Sequence, residues 1–412
     1  MDIASFFFLI FLAVLAVAFQ LIPGKAPRQG LLLAANAAFL LPFVNNWQSW
    51  AGLAVFVLGG FMMVRLAQAR LRGWWLALFI GGLVAAFLYV KSYDFLSLAL
   101  PERLLDHPIA LIGISYMLFK LIHLLVDGWQ RELVPVRLLT YANYQLGFFT
   151  LLAGPIQRYN EFASFWEGMG SILPERREIL LAWSRILTGM IKMALVGGVA
   201  LMVYNRASTM ALNADSALMA LAAFAAMFYA YPAFVFFNFA GYTDIVIGSG
   251  RLFGLELPEN FNRPYLARNM VDFWNRWHIT LSTWMRDYVF MASYKWAAAR
   301  WGSYARRLGY LLAFVSLFLA GIWHGSTWNF VLFGLVHGIG VAGTQIYGQT
   351  LRSAIGPVGV RSYLQNRWIT GLAVLVTFHY VCFGFLFFAP GLGRTRNIIM
   401  NVLSTLLGGG AG

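Results

Sequence analysis

The sequence predicts an all-α polytopic membrane protein, and three observations carry this prediction. Hydrophobic residues make up 60% of the 412 residues, whereas charged residues make up only 11%. A soluble domain of this size would have too little polar surface to stay dispersed. The apolar residues also fall into runs long enough to cross a bilayer as helices, and short basic segments separate these runs. We therefore expect one integral-membrane domain over residues 1–412.

The apolar runs predict about ten transmembrane helices. The first run, residues 3–22, follows Asp2 with no basic segment before it, so we interpret it as a retained helix and not as a signal peptide. Residues 141–156 are apolar but short, and we interpret them as a re-entrant element. The other predicted spans are residues 31–44, 50–64, 74–90, 108–126, 186–204, 217–239, 309–323, 329–347 and 370–390.

The net charge of +14 is compatible with either nucleic-acid binding or membrane topology. The basic residues lie in short segments between apolar runs, and in the first part of the chain they follow every second run. Because cytoplasmic loops carry an excess of Lys and Arg, this pattern places the basic segments in the cytoplasm and both termini outside. We therefore reject nucleic-acid binding and expect the lipid bilayer as the first partner.

Residues 251–307 differ from an ordinary connecting loop. Nine basic residues outnumber four acidic ones there, and five tryptophans are interleaved with them. Basic groups mixed with indoles are typical of helices at a membrane interface. We predict a helix over residues 272–288 in which His278 shares a face with Trp274 and Asp272 pairs with Arg276. An amphipathic anchor with no catalytic role remains the alternative for this segment.

Residues 311–346 form a nearly uncharged apolar run with polar and aromatic groups in its middle, among them Trp323, His324 and Ser326. Lipid offers no hydrogen bonds, so these groups need partners within the protein or take part in function. His324 is therefore the first candidate for a catalytic residue. The alternative is that it only forms a hydrogen bond with a neighbouring helix.

Other residues with reactive side chains have weaker signals. The single cysteine, Cys382, lies in an apolar run, so intramolecular disulfides and cysteine metal sites are excluded. No cluster has metal-ligand spacing, and we predict no metal site. His337 is more typical of helix packing, and His379, which has aromatic neighbours and no evident polar partner, is expected to lie in the core.

Six segments together resemble the membrane-bound O-acyltransferase family. Its bacterial branch, which includes alginate O-acetyltransferases and the D-alanyl transferase of the teichoic-acid system, is the most similar. The similarity extends over roughly residues 110–390, although residues 292–296 lack the glycine-rich turn associated with the alginate enzymes. The segments are GISY at 113–116, AGPIQRY at 153–159, NFAGYTD at 238–244, PENFNRPY at 258–265, FWNRWHITLSTWMRDY at 273–288 and WHG at 323–325.

The resemblance implies a helical fold around a central funnel that opens to the cytoplasm, with His324 as the catalytic histidine and His278 as the second functional histidine. We expect acyl donor phosphates or an acidic carrier protein to be attracted by Arg300, Arg306 and Arg307. Substrate is expected to contact polar and aromatic residues near the two histidines, namely Asn275, Arg276, Trp277, Ser282, Trp284, Asp287, Trp323, Ser326 and Asn329.

The predicted function is O-acyl transfer in a bacterial cytoplasmic membrane. A thioester already has a good leaving group, so the transfer mainly needs a base for the hydroxyl proton and donors for the developing oxyanion. A neutral histidine can act as that base. Acetyl is the expected group, with D-alanyl transfer to teichoic acid as the alternative. The resemblance implies acyl-CoA or acyl-carrier protein as donor substrate, no permanently bound cofactor, and an extracytoplasmic acyltransferase partner with a polysaccharide acceptor.

A transporter or flippase is the alternative from another class of function. It would also have intramembrane histidines and a basic cytoplasmic surface. The sequence has no evident inverted repeat, however, and its predicted spans lack the acidic residues that ion coupling requires. These features favour the acyltransferase.

Overall fold

The computed structural model describes residues 5–69, 72–101, 112–168 and 174–408. It divides into two compact units, the first formed by Met1–Met190 with Tyr242–Glu259 and the second by Ile191–Gly241 with Asn260–Gly412. Both predicted functional histidines belong to the second unit. The expectation of a single domain over residues 1–412 stays a prediction.

The first unit consists of helices of very different lengths. A short 3₁₀ helix, Asp94–Leu98, follows the fourth of them. Residues 102–111, which contain the start of the predicted span 108–126, lie outside the described residues. The helices are α1 (Phe6–Leu21), α2 (Lys25–Leu40), α3 (Trp47–Gln68), α4 (Gly73–Val90), α5 (Ile114–Gln130), α6 (Leu138–Leu146), α7 (Phe148–Leu151), α8 (Tyr159–Glu167) and α9 (Arg176–Met190).

Residues 141–156 do not form one continuous helix. Helix α6 ends at Leu146, α7 begins at Phe148, and a cis Gly154–Pro155 peptide bond follows. Side chains from other helices bind the backbone groups that this break exposes. Lys120 Nζ donates to the carbonyl of Tyr144 at 2.8 Å, and the amide of Phe148 donates to Asn36 Oδ1 at 3.0 Å. Broken backbone is tolerated at membrane depth only where protein satisfies it in this way. The re-entrant position itself stays a prediction.

The second unit contains the remaining helices. A stretch of π-helix, Ile191–Gly197, leads into α10, and another, Met285–Phe290, joins α13 to α14. Helix α16 has a kink at Gly356, where φ is 66°. The helices are α10 (Gly198–Leu212), α11 (Ala217–Leu252, whose last turns belong to the first unit), α12 (Met270–Trp274), α13 (Ile279–Trp284), α14 (Met291–Trp301), α15 (Ala305–His324), α16 (Trp328–Gln365), α17 (Arg367–Phe388) and α18 (Leu392–Leu406).

Seven helical stretches of the described chain are long and apolar enough to cross a membrane, and a shorter apolar helix, Phe6–Leu21, precedes them. The predicted class, an all-α polytopic membrane protein, is confirmed. The count of about ten crossings and the central funnel stay predictions. The seven stretches are Trp47–Gln68, Gly73–Val90, Arg176–Leu212, Ala217–Leu252, Ile279–His324, Trp328–Gln365 and Arg367–Phe388.

Candidate active site

The position of His324 depends on the close crossing of α15 and α16. His324 is the last residue of α15, and Thr327 precedes the first residue of α16. Gly321 lies directly against Gly334, so a Cβ atom added at Gly321 would be 2.5 Å from the backbone nitrogen of Gly334. Only glycine allows backbones to approach so closely. The crossing therefore holds the end of α15, and with it His324, at a defined place.

The single helix predicted over residues 272–288 is wrong. Helix α12 ends at Trp274, a turn follows, and α13 begins only at Ile279. His278 occupies the position before α13 with φ of 44°, in the left-handed region. The predicted ion pair within this segment is confirmed, since Arg276 Nε lies 2.7 Å from Asp272 Oδ1.

The helix breaks because residues 260–262 form hydrogen bonds with the turn. The amide of Asn262 donates to the carbonyl of Arg276 at 2.9 Å, and the amide of Ile279 donates to the carbonyl of Asn260 at 3.0 Å. A short antiparallel bridge joins Phe261 to Trp277. These bonds come from a distant part of the sequence, and they override the local helical periodicity.

The fold brings His278 and His324 together, with 6.4 Å between their ring centroids. His278 is 1% exposed and lies 4.8 Å, between centroids, from the ring of Phe239. Trp323 lies near both imidazoles, at 6.4 Å from His278 and 5.0 Å from His324. A neutral imidazole can accept a proton, so both rings are candidates for the base in a proton transfer.

Aromatic rings also enclose the other side of His324. Its imidazole lies 5.8 Å from the ring of Phe333 and 5.3 Å from the ring of Phe388, both between centroids. Nε2 of His324 has no hydrogen-bond partner among the described residues. An apolar enclosure favours the neutral imidazole, which is the form that can act as a base.

A cavity of about 370 Å³ lies in the same unit. It contains two of the predicted substrate-binding residues, Asn275 and Ser282, on its wall. Ala320 also lines it, and Ala320 lies one helical turn before His324 on the same face of α15. The full lining is Val271, Trp274, Asn275, Ile279, Leu281, Ser282, Thr283, Met285, Arg286, Phe290, Ala313, Ser316, Leu317, Ala320, Val341 and Gln345.

Several other predicted substrate-binding residues have structural partners of their own. Trp277 is buried and stacks on Phe273, with 5.6 Å between ring centroids. Trp284 is buried beside Tyr288 at 5.2 Å. The side-chain Nδ2 of Asn329 donates to the backbone carbonyl of Ala389 at 2.9 Å.

Two more of the predicted substrate-binding residues, Asp287 and Ser326, lie outside the cavity. Asp287 accepts from Arg286 Nε at 3.0 Å, and Ser326 lies half-buried in the turn between α15 and α16. Neither residue lines the 370 Å³ cavity. Contact with substrate stays a prediction for these two residues and for the other predicted ones, Asn275, Arg276, Trp277, Ser282, Trp284, Trp323 and Asn329.

The three predicted donor-binding arginines, Arg300, Arg306 and Arg307, are all exposed at the end of α14 and the start of α15. None of the three lines the open apolar groove of about 490 Å³ that Trp296 and Trp301 help to line, but Trp301 and Leu308, their neighbours in the chain, do. Positive charge and exposed indoles are thus close together in the sequence of this segment. A role in donor binding stays a prediction.

Two further histidines were assigned to packing. His337 is fully buried on α16, 4.2 Å from the ring of Phe333 and 5.4 Å from that of Trp274, as expected. The expectation that His379 lies in the core is wrong, because this residue is only half-buried and has polar partners. Its Nε2 lies 2.9 Å from the hydroxyl of Tyr229, and its Nδ1 lies 2.8 Å from the carbonyl of Leu375.

Sequence reasoning missed Asn260, Phe239 and Phe388 as parts of the site. The first two lie in or beside segments that carry the family resemblance, which was the available signal. Phe388 lies at the end of an apolar run and had none. In the described part of the chain, no group of three or more His, Cys, Asp or Glu side chains is placed to hold a metal ion.

Comparison with known proteins identifies the family. The family model of the membrane-bound O-acyltransferases matches residues 47–386. The chain belongs to the membrane-bound O-acyltransferase family. As a member of this family it is an acyltransferase, and the transporter alternative is not needed to explain its intramembrane histidines.

Relatives of this membrane-bound O-acyltransferase fall into two groups by name. The teichoic acid D-alanyltransferase of Bacillus subtilis (strain 168) is 33% identical over 324 residues, which cover 76% of this chain and 77% of that protein. The probable alginate O-acetylase AlgI of Pseudomonas fluorescens is 30% identical over 359 residues, covering 84% of this chain and 65% of that protein. The probable alginate O-acetylase AlgI of Pseudomonas putida is 29% identical over 341 residues, covering 77% of this chain and 65% of that protein.

Proposed function

We propose that this enzyme transfers an acetyl group from a thioester donor on the cytoplasmic side to a hydroxyl of an extracytoplasmic polysaccharide or partner protein. The proposal includes location in a bacterial cytoplasmic membrane. The observation that carries it is the pair His278 and His324, 6.4 Å apart between ring centroids, enclosed by aromatic rings and close in sequence to residues that line a cavity. A base, a dry surrounding and space for a small group are what acyl transfer from a thioester requires.

His324 acts in this proposal as the general base. Its neutral imidazole removes the proton of the acceptor hydroxyl while the hydroxyl oxygen attacks the thioester carbonyl carbon. The carbon–sulfur bond then breaks, and the thiolate leaves with the proton that the imidazole has taken up. The rings of Trp323, Phe333 and Phe388 surround this imidazole and keep water away from the thioester, which limits hydrolysis. His278 orients donor or acceptor.

The wall of the cavity favours acetyl over D-alanyl. Among the described residues that line it, Arg286 is the only charged one, and none is an Asp or Glu. A D-alanyl group carries an ammonium, and burying a charge without an opposite partner is costly. An acetyl group is neutral and makes no such demand. D-alanyl transfer from a carrier protein to teichoic acid remains the second candidate, and the 33% identity to a teichoic acid D-alanyltransferase favours it.

The donor in this proposal is coenzyme A or a carrier protein, and both are anionic. The exposed arginines at positions 300, 306 and 307 support an anionic donor, because clustered positive charge raises its local concentration. The similarity to proteins named alginate O-acetylase supports a polysaccharide acceptor. An extracytoplasmic acyltransferase partner and the absence of a permanently bound cofactor also belong to the proposal.

One experiment tests the substrate class. Purified protein in detergent is incubated with acceptor polysaccharide and with radiolabelled acetyl-CoA, acetyl-carrier protein or D-alanyl-carrier protein. We expect acetyl loss from one of the first two donors and none from the third. Acyl loss only from the D-alanyl carrier would overturn the proposal in favour of the second candidate.

A substitution at His324 tests the mechanism. Replacing His324 with Gln keeps much of the volume and the hydrogen-bonding capacity but removes the base, so kcat should fall by about 10² to 10⁴-fold with little change in thermal stability. His379→Gln is the matched control, since His379 is bonded to Tyr229 and has no ring contact with His324 among the described residues. Near wild-type turnover by His324→Gln would remove His324 from the mechanism.

A further inference from the structure

Asn260 accepts hydrogen bonds from the backbone amides at the start of helix α13. It is 0% exposed. Its side-chain Oδ1 accepts from the hydroxyl of Thr280 at 2.7 Å and from the amide of Thr280 at 3.3 Å. Its backbone carbonyl accepts from the amide of Ile279 at 3.0 Å. One residue, 20 positions earlier in the chain than Thr280, thus binds the first two amides of this helix.

The residue immediately before a helix usually supplies these acceptors from its own side chain. His278 occupies that position before α13 but makes no side-chain capping bond. Its backbone instead adopts φ of 44°, which residues other than glycine take up only at an energetic cost. Asn260 therefore replaces the local cap, and the imidazole of His278 lies against Phe239 and Trp323 instead of against the helix end.

We propose that Asn260 is a positioning residue that holds the imidazole of His278 in the acyl-transfer site. Its oxygens keep the left-handed turn at His278, and the bond from the Asn262 amide to the Arg276 carbonyl encloses the other end of the same turn. Without these bonds the turn relaxes and the imidazole moves away from His324. The consequence for catalysis rests on the proposed function, whereas the consequence for the geometry of His278 does not.

The effect on catalysis is measured with a double-mutant cycle. Replacing Asn260 with Ala removes both bonds from its side chain to Thr280 and should lower kcat by about 10²-fold, the cost of a misplacement of about 1 Å in a group that orients substrate. In a His278→Ala background the same substitution should cost less than twofold, because its effect passes through the imidazole. Full additivity of the two substitutions would mean that Asn260 does not act through His278, and it would overturn the proposal.

Thr280 offers a milder variant pair in case Asn260→Ala does not fold. Thr280→Val removes the hydroxyl that donates to Asn260 Oδ1 and keeps the shape, whereas Thr280→Ser keeps the hydroxyl. We expect a loss in kcat of about two- to tenfold for Val, in line with one hydrogen bond, and near wild-type kcat for Ser. Equal activity of the two variants would contradict the inference.

Chemical modification of His278 tests the proposed role of Asn260 independently of activity. His278 is buried, so diethyl pyrocarbonate should leave it unmodified in the wild type and in Thr280→Ser, as read by peptide mass spectrometry. It should become modified in Asn260→Ala and Thr280→Val. Continued protection in both of these variants would overturn the proposal. A wild type that transfers no acyl group would overturn the proposed function instead, and the modification pattern would still decide the role of Asn260.

Discussion

Replacing Gly321 with alanine is expected to displace the proposed catalytic base. The added Cβ would meet three backbone atoms of α16, which are the Cα of Gly334, the nitrogen of Gly334 at 2.5 Å and the carbonyl oxygen of Phe330 at 3.1 Å. Ordinary contacts of a Cβ begin at 3.4 Å. Backbone cannot rotate out of the way as a side chain can, so α15 and α16 must separate by at least about 0.9 Å at this crossing, the distance needed to move the Gly334 nitrogen from 2.5 to 3.4 Å.

The size of the effect follows from that displacement. His324 lies less than one helical turn after Gly321, so it moves with the crossing. A misplacement of about 1 Å in a catalytic group costs about 10²-fold in rate, which corresponds to about 2.7 kcal/mol of activation free energy. Inserting a methyl group into a packed interface should also lower the free energy of unfolding by about 1 to 3 kcal/mol.

The assay compares kcat for acyl transfer at saturating donor with the midpoint of thermal unfolding. Gly343→Ala is the matched control, because Gly343 lies on α16, the partner helix of the crossing, and no atom of the described residues comes within 4 Å of an added Cβ there. The control should keep wild-type kcat and stability. If Gly321→Ala matched the control in both measurements, the close crossing would not determine where His324 lies, and the reasoning would be refuted.

Two further predictions concern the basic surface and the topology. Replacing Arg300, Arg306 and Arg307 together by Gln should raise the donor KM severalfold with little change in kcat. The wild-type KM should rise with salt, because exposed charges are screened beyond about 8 Å at physiological ionic strength, and a KM indifferent to both changes would contradict donor binding there. A cysteine at Ser303 in a Cys382→Ser background should react with an impermeant maleimide only from the cytoplasmic side. Labelling from the opposite side would contradict the topology.

The helices themselves were largely predictable, because hydropathy is a local property of the chain. The run predicted at residues 74–90 corresponds to Gly73–Val90, and the run at 370–390 corresponds to Arg367–Phe388. The Asp272–Arg276 pair was also predictable, since both residues and the turn between them belong to one short segment. Helix α18 was missed because only a narrow stripe of it, Thr395, Ile398 and Val402, is buried.

The break at residues 275–278 could not be predicted in the same way. Local periodicity favoured one helix through this segment, and the bonds that interrupt it come from Asn260 and Asn262. Hydrogen bonds between distant parts of a chain have no signature in the pattern of either part. The left-handed backbone of His278, and therefore the direction of its imidazole, depends on those bonds.

Composition and hydropathy were sufficient for the membrane class, and the motifs around His278 and His324 were sufficient for the family and the type of chemistry. Whether the two imidazoles meet was decided by the tertiary structure alone. Their 6.4 Å separation results from the glycine contact between α15 and α16 and from the turn that Asn260 holds. Distances between residues far apart in sequence depend on how helices pack, and packing is determined by shape complementarity between surfaces that no single segment contains.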